Sequence, residues 1–245
     1  MQPEIHIFGL TIQTFGLCLG LSFLVAGWIV AKRLQELGRQ VDFAYEAVFA
    51  ALIGGLLGAK LWYIAENGGA LFSGTGLVFY GGLIGGALAV LAWAKYRGEL
   101  DLQFVDAVAP SLAAAYAIGR IGCQLSGDGD YGKNWDGPWA MAYPNGTVPT
   151  TETVHPTPIY ESLTMGLFAY VLWRLRDRWQ PGVLFGVYLV GVGVERFLVE
   201  FLRRNDEVAL GLTQPQLMSV AFMIGGGAWL LFLQRRGRVG APAPA

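Results

Sequence analysis

Seven stretches of this chain are apolar enough, and nearly long enough or longer, to cross a bilayer as helices, and no other feature narrows its possible folds as far. A helix needs about 20 residues to span roughly 30 Å of hydrocarbon. The runs extend from about Ile12 to Ala31, Phe43 to Ala65, Gly76 to Ala94, Val105 to Cys123, Pro158 to Trp173, Val183 to Leu202 and Pro215 to Leu233. The fifth is the shortest. Only 14% of the residues are charged, against roughly a quarter in soluble domains. The sequence therefore predicts an all-α, polytopic, multi-pass membrane protein. The first run is longer than a signal-peptide core and no small-residue cleavage pattern follows it, so it is expected to stay in place.

The basic residues set the expected orientation, because cytoplasmic loops carry the excess of lysine and arginine. Eleven of the 17 fall at one set of helix ends: Lys32, Arg33, Arg39, Lys95, Arg97, Arg174, Arg176, Arg178, Arg235, Arg236 and Arg238. The other set holds Lys133, Arg203 and Arg204, while Lys60, Arg120 and Arg196 lie inside the runs. The expected topology is N-terminus outside and C-terminus in the cytoplasm, with 124–157 as a long external loop. Residues 1–239 form a single membrane domain in this reading, and 240–245 a disordered Ala-Pro tail.

A net charge of −1 gives no footprint for nucleic acid. Cys18 and Cys123, with His6 and His155 as the only histidines, make a metal cluster improbable and suggest no disulfide framework. Asp128 and Asp130 invite comparison with a calcium loop, but the downstream ligands are missing. No histidine adjoins Cys123, which reads as packing rather than as a nucleophile. Gly54 and Gly58, and Gly82 and Gly86, are spaced to let helices approach closely.

Charges within hydrocarbon cost roughly 2.5–3.5 kcal/mol each on the insertion scale, so those retained need a reason. With the expected orientation, Arg120 falls near the external end of the fourth helix, and Arg196 lies about 10 Å below that of the sixth. Lys60, Tyr80, Tyr160 and Glu161 come to a similar level. Arg196, Glu200 and Arg203, spaced four and three apart, share one helical face. An isolated Arg196–Glu200 pair would be explained by mutual neutralisation. A second arginine at the same depth instead suits an anionic lipid head group, since guanidinium holds phosphate oxygens bidentately. The loop 127–132 offers either a plain turn or a nest of backbone donors.

Together the motifs resemble the bacterial prolipoprotein diacylglyceryl transferases. The resemblance rests on Tyr80-Gly81-Gly82-Leu83-Ile84-Gly85-Gly86, on Gly119-Arg120-Ile121-Gly122 with Gly127 and Tyr131-Gly132, on His155-Pro156 with Tyr160-Glu161, and on Glu195-Arg196-Phe197 through Glu200-Phe201 to Arg203. It implies transfer of the diacylglyceryl group of phosphatidylglycerol to the lipobox cysteine of preprolipoproteins, whose signal peptides the enzyme must accept. The setting it implies is the bacterial cytoplasmic membrane, and the reaction needs no cofactor and no metal. Carried onto this chain, it makes Arg120, Arg196, Glu200 and Tyr80 catalytic, with Glu200 orienting Arg196 or acting as a base. Arg120, Asp128, Gly132, Lys60, Arg203, His155 and Tyr160 would bind substrate.

The chain also departs from the family pattern. Cys123 stands where many members have Asn, Ser126-Gly127-Asp128 replaces Asn-Gly-Glu with one extra residue before Tyr131, and Phe15 replaces a tyrosine. Lys60 replaces an arginine, Tyr80 replaces the histidine of some members, and Thr157-Pro158 is an altered continuation of His155-Pro156. A paralogue acting on another lipid or acceptor, and a non-catalytic lipid-binding or transport protein, are the alternatives.

Overall fold

In the computed structural model, which describes residues 1–68 and 78–237, the chain is mostly helical. The described residues form seven helices: α1 (Thr14–Glu36), α2 (Asp42–Asn67), α3 (Phe79–Tyr96), α4 (Leu102–Ser126), α5 (Thr157–Leu175), α6 (Val183–Glu200) and α7 (Gln214–Arg235). Of these, α1, α2, α4 and α7 are long and apolar enough to cross a membrane. Their outward faces carry large exposed side chains such as Leu21, Leu24, Leu56 and Leu231, as lipid-facing helices do. Gly76, where the third run was expected to begin, and the tail from Gly240 lie outside the described residues.

Two expectations are corrected. The chain is not purely helical, because among the described residues six short strands pair antiparallel as β1 (Glu4–Ile7) with β2 (Leu10–Gln13), β3 (Met141–Tyr143) with β4 (Thr150–Val154), and β5 (Glu207–Ala209) with β6 (Leu212–Thr213). Ile12 consequently belongs to a strand and not to the first helix. Ile5-His6-Ile7 and Leu10-Thr11-Ile12-Gln13 alternate with a period of two, which is strand patterning, and Phe8-Gly9 turns the hairpin. The long loop is also slightly shorter than expected, since α4 continues to Ser126 and α5 begins at Thr157.

Two compact units divide the chain. One holds 27–105. Its centre is a close approach of α2 and α3, where a Cβ on Gly58 would lie 2.3 Å from the Gly81 oxygen and one on Gly54 2.7 Å from that of Gly85. The tight pairing on α3 is therefore Gly81 with Gly85; Gly82 and Gly86, expected from spacing, sit slightly off the contact line, with 3.2–3.4 Å to their nearest atoms. Phe43 and Phe104 pack in this unit at 5.0 Å between ring centres. Arg39 ties its ends together by pairing with Glu99 and Asp101.

The other unit comprises, among the described residues, 1–26 and 106–237. Ala109, Ala113 and Ala117, four apart on α4, offer a smooth face to Met165, Ala169 and Leu172 of α5 and to Leu184 and Val192 of α6. Asp106 accepts hydrogen bonds from Gly182 N and Phe185 N, both 2.8 Å, and so satisfies orphan donors at the start of α6. Thr213 and Gln216 form a capping box at the start of α7.

Candidate functional site

Within the second unit the polar side chains of three helices and one loop meet in a single ion network. Glu161, near the start of α5, is its fully buried centre. Its Oε2 lies 2.6 Å from Arg120 Nε of α4, and its Oε1 accepts from Arg196 Nη1 of α6 at 2.5 Å. Arg196 Nη2 stands 2.8 Å from Glu200 Oε2, one turn further along α6. Asp130, in the loop after α4, accepts from both Arg120 and Arg203. Arg203, just past the end of α6, closes the circuit at 3.7 Å from both Glu161 and Glu200.

Three guanidinium groups thus face three carboxylates, and the cluster is formally neutral. Neutrality is what makes such burial tolerable, because an unmatched charge in an apolar interior costs several kcal/mol. The arginines are held by more than their ion partners. The guanidinium of Arg120 lies over the Tyr116 ring, 5.0 Å from its centre, one helical turn away. Among the described residues, Arg203 Nε and Nη1 are buried without a hydrogen-bond acceptor, and Glu161 Oε2 and Glu200 Oε2 without a hydrogen-bond donor.

The carboxylates differ in accessibility. Glu161 and Glu200 have no exposed side-chain surface, whereas 30% of the Asp130 side chain is exposed. Burial raises the Asp130 pKa, but Arg120 and Arg203 outweigh it and hold the carboxyl down at about 2. Asp128, two residues earlier, is pushed upward by its own burial and by the charge of Asp130, and its Oδ1 accepts from Asp130 N at 3.2 Å.

The loop is built to place Asp130. Positive φ angles at Gly127 (59°) and Gly129 (92°) turn it sharply. The hydroxyl of Thr157, fully buried at the start of α5, donates to the Asp130 carbonyl at 2.6 Å. Tyr131 stacks on Tyr143 with centres 4.8 Å apart, over the β3–β4 hairpin. Tyr143 donates to Gln124 Oε1 at 2.9 Å, and burial pushes its pKa up to about 12.

The expected site residues divide into four groups. Arg120, Arg196, Glu200 and Arg203 are in the network. Glu200 Oε1 also accepts from Thr213 and Asn205, while its Oε2 faces Arg196 as an ion pair. Asp128 and Gly132 flank the network. Gly132 has a packing reason to be glycine, as a Cβ there would meet the Leu202 oxygen at 2.5 Å. The loop does not form the open nest of donors considered above, since Gly127 N, Asp130 N and Gly132 N are given to Cys123 O, Asp128 Oδ1 and His155 O.

His155 and Tyr160 belong to an aromatic cluster beside the loop. His155 stacks on Trp135 at 4.4 Å, and the Trp139 indole donates to Tyr160 OH at 2.7 Å. Lys60 and Tyr80 belong to the 27–105 unit. There Lys60 is buried on α2 over the Tyr63 ring, and half-buried Tyr80 opens α3.

Two members of the network were not among the expected site residues. Glu161 was visible as one of several polar groups at a common depth and within the Tyr160-Glu161 motif, but was given no role, and Asp130 appeared only as a discarded calcium ligand. Charge balance was the signal that could have found them: arginines buried in an apolar bundle require matching carboxylates nearby.

A family model for prolipoprotein diacylglyceryl transferase matches residues 3–233. A phosphatidylglycerol–prolipoprotein diacylglyceryl transferase of Clostridium tetani is 36% identical over 238 residues, covering 92% of this chain and 95% of the relative. One from Clostridium perfringens is 32% identical over 235 residues, with 90% and 91% covered, and one from Erythrobacter litoralis is 29% identical over 265, with 99% and 92% covered. A match of this extent, over the segments that build the ion network, means that the chain belongs to the prolipoprotein diacylglyceryl transferase family.

Proposed function

We propose that this membrane protein transfers the diacylglyceryl group of phosphatidylglycerol to the lipobox cysteine of a preprolipoprotein at the Arg120–Arg196–Arg203 network. The observation that carries the site assignment is the convergence of arginines from α4 and α6 on one buried carboxylate, Glu161, with the partly exposed Asp130 paired to Arg120.

The thiolate sulfur of the peptide attacks the terminal glyceryl carbon of the lipid. A C–S bond forms, the C–O bond to phosphate breaks, and glycerol phosphate leaves with the electron pair. The thiol proton passes to solvent or to the departing phosphate. Guanidinium groups placed before the reaction stabilise the negative charge that builds on the phosphate oxygens. The phosphodiester takes the place of Asp130 on Arg120 and Arg203, while Glu161 and Glu200 keep the arginines in position. The nucleophile comes from the substrate, so the buried Cys123 has no covalent part.

The topology of this reading has seven spans, N-terminus outside and C-terminus in the cytoplasm of a bacterium. Eleven basic residues at one set of helix ends support it. At 18, 19 and 18 residues, α3, α5 and α6 reach about 27–29 Å, close to the hydrocarbon thickness. Expression in cells depleted of their own transferase tests the function. A lipobox reporter should gain the mass of a diacylglyceryl group, and Arg196→Ala should lose that product while remaining inserted. An abundant, inserted wild-type protein that leaves the reporter unmodified refutes the reading.

A further inference from the structure

The hairpins that precede α1 and α7 share an unusual construction. Each turns through two residues, Phe8-Gly9 and Leu210-Gly211, and all four have positive φ: 49° and 81° in the first, 55° and 69° in the second. Such turns favour Asn-Gly or Asp-Gly, and a bulky apolar residue at positive φ is a strained choice. Both strained residues are also fully or almost fully exposed, Phe8 at 103% and Leu210 at 92% of their reference surface. Neither gains anything from the protein interior to offset its backbone conformation.

The first hairpin has segregated faces. Glu4 pairs with Gln13 and His6 with Thr11, and their side chains bond across the strands at 3.2 and 3.1 Å. Ile5 and Ile12 pair on the opposite face, which Leu10 shares, 69% exposed. In the second hairpin Val208 adds a further exposed apolar side chain beside the Leu210 tip. A two-stranded hairpin with an open apolar face is at best marginal in water. Each here runs directly into a helix able to cross a membrane, β2 into α1 at Thr14 and β6 into α7 at Gln214.

We infer that the two hairpins are interfacial anchors: the Phe8 and Leu210 tips, with the Leu10 and Ile12 face, insert into the lipid leaflet where α1 and α7 enter the membrane. The occupant is lipid because the exposed apolar face of the first hairpin continues through Phe15, Leu17 and Leu19 of α1, and the second hairpin joins the spanning helix α7 directly. The polar face of the first hairpin, Glu4, His6, Thr11 and Gln13, stays toward water. The inference rests on α1 and α7 being spans and not on the transfer reaction.

Nitroxide labels on single introduced cysteines of the full chain, in phosphatidylglycerol-containing vesicles without peptide, test it. Both native cysteines are buried, and unsubstituted protein serves as the labelling control. Labels at 8, 10 and 210 should collide several-fold more with oxygen than with a water-soluble nickel complex, at a depth of about 5–10 Å. Labels at 6 and 13 should show the reverse. The double variant Phe8→Asn with Leu210→Asn fits the left-handed turns better than the native residues, so the hairpins remain, but a label at 10 should move toward water. Equal nickel access at 8, 210 and 6 overturns the inference, as does an unchanged depth at 10 in the double variant. Shielding of position 8 that appears only on addition of a lipobox peptide also overturns it, by assigning the face to peptide. Because transfer is not the readout, failure here is distinguishable from failure of the proposed function.

Discussion

Replacing Asp130 by Asn removes one of the three carboxylates while keeping the side chain's size. The loss can be estimated from the structure. An unpaired aspartate has a pKa of roughly 3.9, and the arginines hold this one at about 2. A difference of about two units corresponds to about 2.6 kcal/mol, reduced to about 2 kcal/mol for the exposed part of the side chain. The folded-state value is the lower one, so the stabilisation is fully present above about pH 5 and disappears as pH falls toward 2, with about half left at pH 3. Thermal unfolding in detergent micelles should therefore place Asp130→Asn about 4–8 °C below wild type at pH 7. The gap should shrink by about half at pH 3. A variant as stable as wild type at pH 7, or a gap that does not narrow in acid, would refute the claim that Asp130 is an ionised partner of Arg120 and Arg203.

Other perturbations probe different parts of the network and the fold. Glu161→Gln leaves Arg120 and Arg196 without their shared buried partner and should cost about 3–5 kcal/mol, seen as a fall in unfolding temperature and a loss of inserted protein. Gly58→Ala places a methyl 2.3 Å from the Gly81 oxygen, so α2 and α3 must separate, at about 1–3 kcal/mol in the same unfolding assay. Cys123→Ser should retain transfer to a lipobox reporter within about twofold, because the thiol that reacts belongs to the peptide.

The helices were legible because their signal is local. A run of some 20 apolar residues needs no partner to be recognised, and the ends of α2 and α7 fall within two residues of those expected. Ile12 was misplaced because apolar content was weighed before period: the alternation around Phe8-Gly9 was present, but a strand and the start of an apolar helix look alike over four residues. Arg120 and Arg196 stood out because each is a charge inside an apolar run. Asp130 did not, because in a loop rich in glycine and aspartate only the fold shows which carboxylate turns inward. Thr157, 27 residues away, fixes that choice through the Asp130 carbonyl.

This placement gives the departures from the family pattern a physical meaning. In the proposed reaction a phosphodiester anion enters a cluster that is already neutral, so one carboxylate must yield. Glu161 and Glu200 cannot, since both sit on helices, fully buried, with each oxygen beside an arginine or a polar hydrogen. Asp130 lies on a glycine-hinged loop at the exposed rim and is joined to the helices through Thr157 and two arginines. We propose that the extra residue before Tyr131 and the altered Thr157-Pro158 act on this one residue, Thr157 through its hydrogen bond to the Asp130 carbonyl. Together they set its reach and its anchoring while the three arginines stay fixed, so they can adjust how readily an anionic head group displaces it without altering the groups that stabilise the leaving phosphate.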